Sequence, residues 1–150
     1  MISLAQIKDF LEPKKLAVAG VSRNKKKFGH AVFKELREKD FEVFPINPNT
    51  SEIEGVKCYP GIRELPEEVE CLHIVTPKAQ TLDILKEAHE KGIKKVWIQQ
   101  SSDTPEAIKF AEEHDISLIH KKCILMYAEP VTNIHKIHRI LNKFFGLYPK

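Results

Sequence analysis

Apolar and polar positions along the chain change period repeatedly, and the changes outline alternating helices and strands. Ser3-Leu4-Ala5-Gln6 has the form of a capping box, the serine accepting from the amide three residues on while the glutamine reaches back. A short helix to about Leu11 follows, ended by Pro13. Leu16 to Val21 is a brief apolar run broken only by Gly20, the pattern of a buried strand. From Gly29 to Lys39, Ala31, Val32 and Leu36 recur at helical spacing, with charges on the opposite face. Phe41 to Ile46 reads as a second strand, closed by the turn Asn47-Pro48-Asn49. Leu72 to Val75 reads as a third, stopped by Thr76-Pro77.

The alternation continues to the end of the chain. Thr81 to Lys91 is expected as a helix with Leu82, Leu85 and Ala88 inward and Gly92 just past its end. Val96-Trp97-Ile98 is a fourth strand. Asp103-Thr104-Pro105-Glu106 starts a helix to about His114, and Ile116 to Ile119 is a fifth strand. A last amphipathic helix is expected over Asn133 to Phe145. Five strands joined by helical crossovers predict one domain over 1–150: an α/β, three-layer, doubly wound Rossmann-like fold. Its parallel five-stranded sheet is expected in the order 3-2-1-4-5. The acidic, irregular stretch Ser51 to Val69 is expected to wrap an edge.

Composition adds bounds. A chain of 150 residues is long enough for a full core without disulfides or a structural metal. No apolar run approaches the length of a membrane span, and the first residues lack the pattern of a secretory signal. Cys58, Cys71 and Cys123 are an odd number without paired spacing, which suggests free thiols and a cytoplasmic setting. The net charge of +3 averages unlike regions. Pro13 to Lys34 holds seven cations and no acid, and Val131 to Lys150 four cations and no acid. The remainder carries 13 cations against 21 acids. Local bias of this kind suits an anionic ligand.

In a doubly wound sheet, ligands sit beyond the carboxyl ends of the strands. The first such end is Gly20-Val21-Ser22-Arg23-Asn24-Lys25-Lys26-Lys27-Phe28-Gly29. It combines a tight turn, a hydroxyl, four cations and a helix start, a combination suited to phosphate, although GxGxxG spacing is absent. A solvated lysine loop is the other reading of the same residues. At the second strand end, where an NAD-binding domain carries an acid, Asn47-Pro48-Asn49 is neutral. That favours a phosphorylated ribose, or no nicotinamide at all, or simply a turn.

Six segments lie in register with one family. Gly20-Val21-Ser22-Arg23, Lys27-Phe28-Gly29, Asn47-Pro48, Thr76-Pro77, Trp97-Ile98-Gln99 and Lys122-Cys123 occur in the order seen in small CoA-binding proteins. Through them the chain resembles the CoA-binding domain of the succinyl-CoA synthetase alpha subunit, without its catalytic domain. The resemblance implies phosphate contacts at Ser22, Arg23 and Lys27, close backbone approach at Gly20, and packing at Phe28-Gly29. It also implies that Val75, Thr76 and Pro77 border adenine, that Asn47 and Pro48 lie near the ribose, and that Gln99 belongs to the site. Two positions depart from the family pattern. Asn49 stands where Lys is frequent, and Ser101 where Gly is common, so a side chain could narrow the pantetheine path.

Other residues offer less. Cys123 reads either as a partner for a CoA thiol or as a small buried thiol. His135 and His138, spaced i, i+3, suit a surface better than a metal site. His73 and Trp97 sit inside strands, where structural roles are the default. No Ser-His-Asp constellation, HExxH or Walker motif is legible. The expectation is a module that binds CoA or an acyl-CoA as carrier, sensor or regulator. The alternative is an enzyme using NADP or an acyl-CoA. Neither membrane nor nucleic acid is the expected partner, and the basic last helix offers a surface for a second copy or a protein partner.

Overall fold

The computed structural model describes residues 1–128; the expected last helix, with His135 and His138, lies outside them. In chain order the elements are α1 (Leu4–Leu11), β1 (Lys15–Ala19), α2 (Phe28–Glu38) and β2 (Glu42–Ile46). A short hairpin of β3 (Glu52–Ile53) and β4 (Val56–Lys57) comes next, then a single 3-10 turn at Ile62–Glu64. The chain continues through β5 (Cys71–Ile74), α3 (Lys78–Lys91), β6 (Lys95–Gln99), α4 (Pro105–Glu113) and β7 (Ser117–Lys122), with a 3-10 turn at Ile124–Met126. None of the described helices is long and apolar enough to cross a membrane.

Local chemistry explains the boundaries. Ser3 Oγ accepts from Gln6 N at 3.1 Å, half of the expected capping box. The Gln6 side chain does not reach back; it donates to Ser117 Oγ and Leu118 O, tying α1 to β7. Thr104 caps α4 through Ala107 N, with Pro105 at the first helical position. α3 starts three residues before Thr81, because Pro77 needs no amide partner and the Lys78–Gln80 turn extends the helix toward the strand ends. β7 also runs longer than Ile116–Ile119, following β6 through a register shift.

The Rossmann-like α/β architecture is present, and all five strands of the main sheet are parallel. Alternate strand residues face opposite layers. Leu16 and Val18 join Ile7, Phe10, Val32 and Phe33 on the α1/α2 side, while Ala17 and Ala19 join Leu85, Ala88, Ala107 and Ala111 on the α3/α4 side. Trp97 is fully buried between Phe10 and Tyr127, and its indole donates to Lys122 O at 3.0 Å.

The strand order differs from expectation. It is β2-β1-β5-β6-β7, so the third long strand lies beside the first and not outside the second. The acidic segment is the cause. Ile53 and Cys58 pack on the α1/α2 side, whereas Ile62, Leu65 and Val69 pack on the α3/α4 side. Between them, Tyr59 occupies the outer edge of β2, its N–H donating to Pro45 O and its carbonyl accepting from Asn47 N. The segment thus does wrap an edge. In doing so it takes the position that the third strand needed and delivers the chain to the far side of β1. Pro45 fits this outcome: its carbonyl points outward to Tyr59, so the N–H it lacks is missing from the outer side and the β1 ladder stays intact.

Candidate functional site

The order β2-β1-β5 places the topological switch between β1 and β5, and the adjoining strand ends form a crevice there. Gly20 leaves β1 at φ +102°, and a methyl at this position would lie 3.0 Å from the Val75 carbonyl carbon and oxygen. Gly29 lies at the start of α2, and a methyl there would run into Gly20 O. The helix start is therefore pressed onto the strand end. These two glycines do the work of the first and last glycines of a dinucleotide fingerprint, with a longer loop between them.

That loop is held by its own turns. Asn24 N donates to Ser22 Oγ at 3.0 Å, Lys26 N to Asn24 Oδ1 at 3.0 Å, and Lys27 N to Asn24 O at 3.0 Å. Ser22 keeps its own O–H as a donor. Arg23, Lys25, Lys26 and Lys27 are exposed. Lys25 lies 4.0 Å from Glu54, whereas Arg23, Lys26 and Lys27 have no acidic partner among the described residues.

Two cavities flank this loop. One, of about 460 Å³, runs past Lys27, Phe28, Gly29, Val75, Pro77 and Gln99 to Ser101 and Ser102. The other, of about 370 Å³, runs past Asn47, Pro48 and Asn49 to Pro60 and Glu87. Gly20, Ser22, Thr76 and Gln80 line both, so the two lobes meet at the cationic loop between Gly20 and Gly29. A groove of similar size along the β7 edge, about 490 Å³, lies away from the switch and has no glycine turn.

Every residue expected at the site except Arg23 lines one or both lobes, and Arg23 lies on the loop between them. Several have duties besides. Asn47 Nδ2 donates to Val21 O at 2.8 Å and its Oδ1 accepts from Asn49 N at 2.8 Å, so this side chain shapes the loop as well as lining the cavity. Val75 N donates to Ala19 O, which locks the two strand ends at the switch. Gln99 is buried; its Oε1 accepts from Ile124 N at 3.3 Å and from His73 Nε2 at 3.1 Å. Burial lowers the His73 pKa to about 4 against the pull of the Gln99 bond, so the ring is neutral near pH 7 and structural. Thr76 Oγ1 and Gln99 Nε2, both buried, have no hydrogen-bond partner among the described residues. Ser101 stands at φ +76°, in the left-handed region that favours glycine.

Sequence reasoning missed Gln80. Gln80 joins the site because α3 begins early enough to carry it. Ser102 does so because its carbonyl accepts from Thr81 Oγ1 at 2.7 Å, which draws the β6 end against α3. Cys123 is buried; burial pushes its thiol pKa up, opposed by the backbone amides of Leu125 and Met126. Cys58 is likewise raised by burial, and Cys71 is raised to about 11. All three thiols are unpaired.

Comparisons with known proteins agree with this geometry. A sequence model described as a CoA binding domain matches residues 14–129. The alpha subunit of acetate–CoA ligase [ADP-forming] II from Pyrococcus furiosus is 35% identical over 139 residues. These make up 91% of this chain but only 30% of that subunit. A conserved hypothetical protein from Pyrococcus furiosus has the same fold at a TM-score of 0.72 and 42% identity, covering 73% of this chain and 95% of its own. A hypothetical protein from Pyrococcus horikoshii superposes at a TM-score of 0.76 with 28% identity, over 93% of both chains. With the family pattern extending across the strand ends, the loop and both cavity lobes, this chain belongs to the CoA-binding domain family.

Proposed function

We propose that the domain binds CoA or an acyl-CoA across the switch-point crevice, as a carrier, sensor or regulatory module. The observation that carries this reading is the meeting of two cavity lobes at Gly20, Ser22 and Thr76, beside a loop whose Arg23, Lys26 and Lys27 lack acidic partners among the described residues. CoA is a long molecule with a diphosphate between two less charged arms. Its diphosphate suits the loop, its adenosine the lobe bordered by Asn47 and Pro48, and its pantetheine arm the lobe leading to Ser101 and Ser102. Thr76, which lines both lobes, borders the adenine in this arrangement, and Pro77 lines the pantetheine side.

The test is thermal unfolding with CoA, acetyl-CoA and NADP in parallel. A ligand at a hundred times its dissociation constant stabilises by about 2.7 kcal/mol. At roughly 3 °C per kcal/mol for a chain of this size, the melting temperature rises by about 8 °C. CoA or acetyl-CoA gives this rise, and Arg23→Ala with Lys27→Ala removes it. An unchanged melting temperature at millimolar CoA overturns the reading, and a shift with NADP alone moves it to a nicotinamide cofactor.

A further inference from the structure

The phosphate-type loop is held from outside by a contact that loop composition does not reveal. His30, on the first turn of α2, is buried at 4% exposure. Its Nδ1 lies 2.7 Å from Ser22 O and its Nε2 3.1 Å from Glu54 Oε1. Glu54 sits at the tip of the β3–β4 hairpin, at φ +48°, followed by Gly55 at φ +77°. Two successive left-handed residues make the tight turn that aims the Glu54 carboxylate back at α2. The same Glu54 oxygen lies 4.0 Å from Lys25 Nζ on the loop.

We propose that Glu54 and His30 form a brace that positions the ligand-binding loop, making the β3–β4 hairpin part of the binding machinery. This rests on the reading of the loop as the diphosphate site. A carbonyl accepts only, and so does an ionised carboxylate, so both contacts are made in full when both ring nitrogens carry hydrogen. In a trans peptide the carbonyl and the next N–H point in opposite directions. Holding Ser22 O therefore fixes the direction of Arg23 N–H, as Asn47, by holding Val21 O, fixes that of Ser22 N–H. Two consecutive loop amides are aimed by side chains from two other elements.

The charged groups recorded around His30 are Glu54 from the hairpin and, through Glu54, Lys25 from the loop; within α2 its ring neighbour is Phe33. Glu54→Ala takes away the Nε2 partner and frees the ring that holds Ser22 O. Glu54→Gln keeps an oxygen that accepts from Nε2–H and so keeps the brace closed.

The experiment measures dephospho-CoA affinity by calorimetry for wild type, Glu54→Ala and Glu54→Gln. Glu54→Ala weakens binding about tenfold, on the scale of one charge-assisted hydrogen bond, and Glu54→Gln binds as wild type does. Amide hydrogen exchange without ligand gives a second readout: Ser22 and Arg23 exchange faster in Glu54→Ala and at wild-type rate in Glu54→Gln. Identical affinities and exchange rates in wild type and Glu54→Ala overturn the brace even where CoA binds. If wild type binds no CoA, the diphosphate reading fails by itself, and a ligand-binding role for the brace is overturned with it.

Discussion

Replacing Gly29 by alanine tests the packing that forms the crevice. In a helix, alanine in place of glycine is favourable by up to about 1 kcal/mol, so propensity alone predicts a gain. The structure predicts a loss. The added methyl meets Gly20 O, a backbone atom, and Gly20 has little room to retreat because its own position lies against Val75 and Thr76. Overpacking of this kind costs about 1–3 kcal/mol, or more where backbone must move. A net loss of about 2 kcal/mol follows, a fall of roughly 6 °C in melting temperature. Gly92→Ala is the control. Gly92 ends α3 at φ +89° with nothing among the described residues within 4 Å of a new methyl, so the backbone conformation opposes the change, by about 1 kcal/mol. Calorimetry with and without CoA separates the two sites. Gly29→Ala loses stability and most of the CoA-induced rise, whereas Gly92→Ala loses less stability and keeps the rise. A Gly29→Ala protein as stable as wild type, with the rise intact, refutes the account of helix pressed on strand end.

Other consequences are open to measurement. His73 is held at a pKa of about 4 by burial, below the unfolded value of about 6.5. Between these values the unfolded chain binds the extra proton, so the contribution is complete above pH 6.5 and lost as pH falls toward 4, about 3 kcal/mol in all. Urea unfolding of His73→Phe should lose stability less steeply over that window, and equal slopes would count against the assignment. Ser101→Gly relieves a left-handed non-glycine residue and should raise stability by about 1 kcal/mol; a lower melting temperature would show that the serine is held by contacts worth more than the strain. The buried thiols of Cys58, Cys71 and Cys123 should react with an aromatic disulfide reagent only as the protein unfolds. Rapid labelling of the native protein would contradict their burial.

How far each feature was legible depends on how local its causes are. Elements follow from neighbours: the apolar run at Leu16–Ala19, the Thr104-Pro105 cap and the Gly92 terminus are all contiguous signals, and each stands where the pattern put it. The glycine-bounded, cationic loop from Gly20 to Gly29 was equally readable, because it is built from successive residues. The helix boundary at Lys78 was less so, and with it Gln80 was missed.

Strand order is another matter. The residues of the third strand suit a place beside either neighbour, and the choice was made by the route of residues 47–69 around the edge of β2. Pro45 carried a hint, since a residue without an N–H belongs on an edge, but the hint has meaning only once the pairing partner of each carbonyl is known. The Glu54–His30 contact is the same kind of fact. Its members are 24 residues apart, on a hairpin and a helix that have no reason to meet until the acidic segment turns back over the sheet. Periodicity, turn residues and unopposed charge, all local, determined the elements, the fold class and the cationic loop. Which strand edge was already occupied, and which side chains reached the loop from other elements, depended on chain path and burial, and tertiary structure alone decided them.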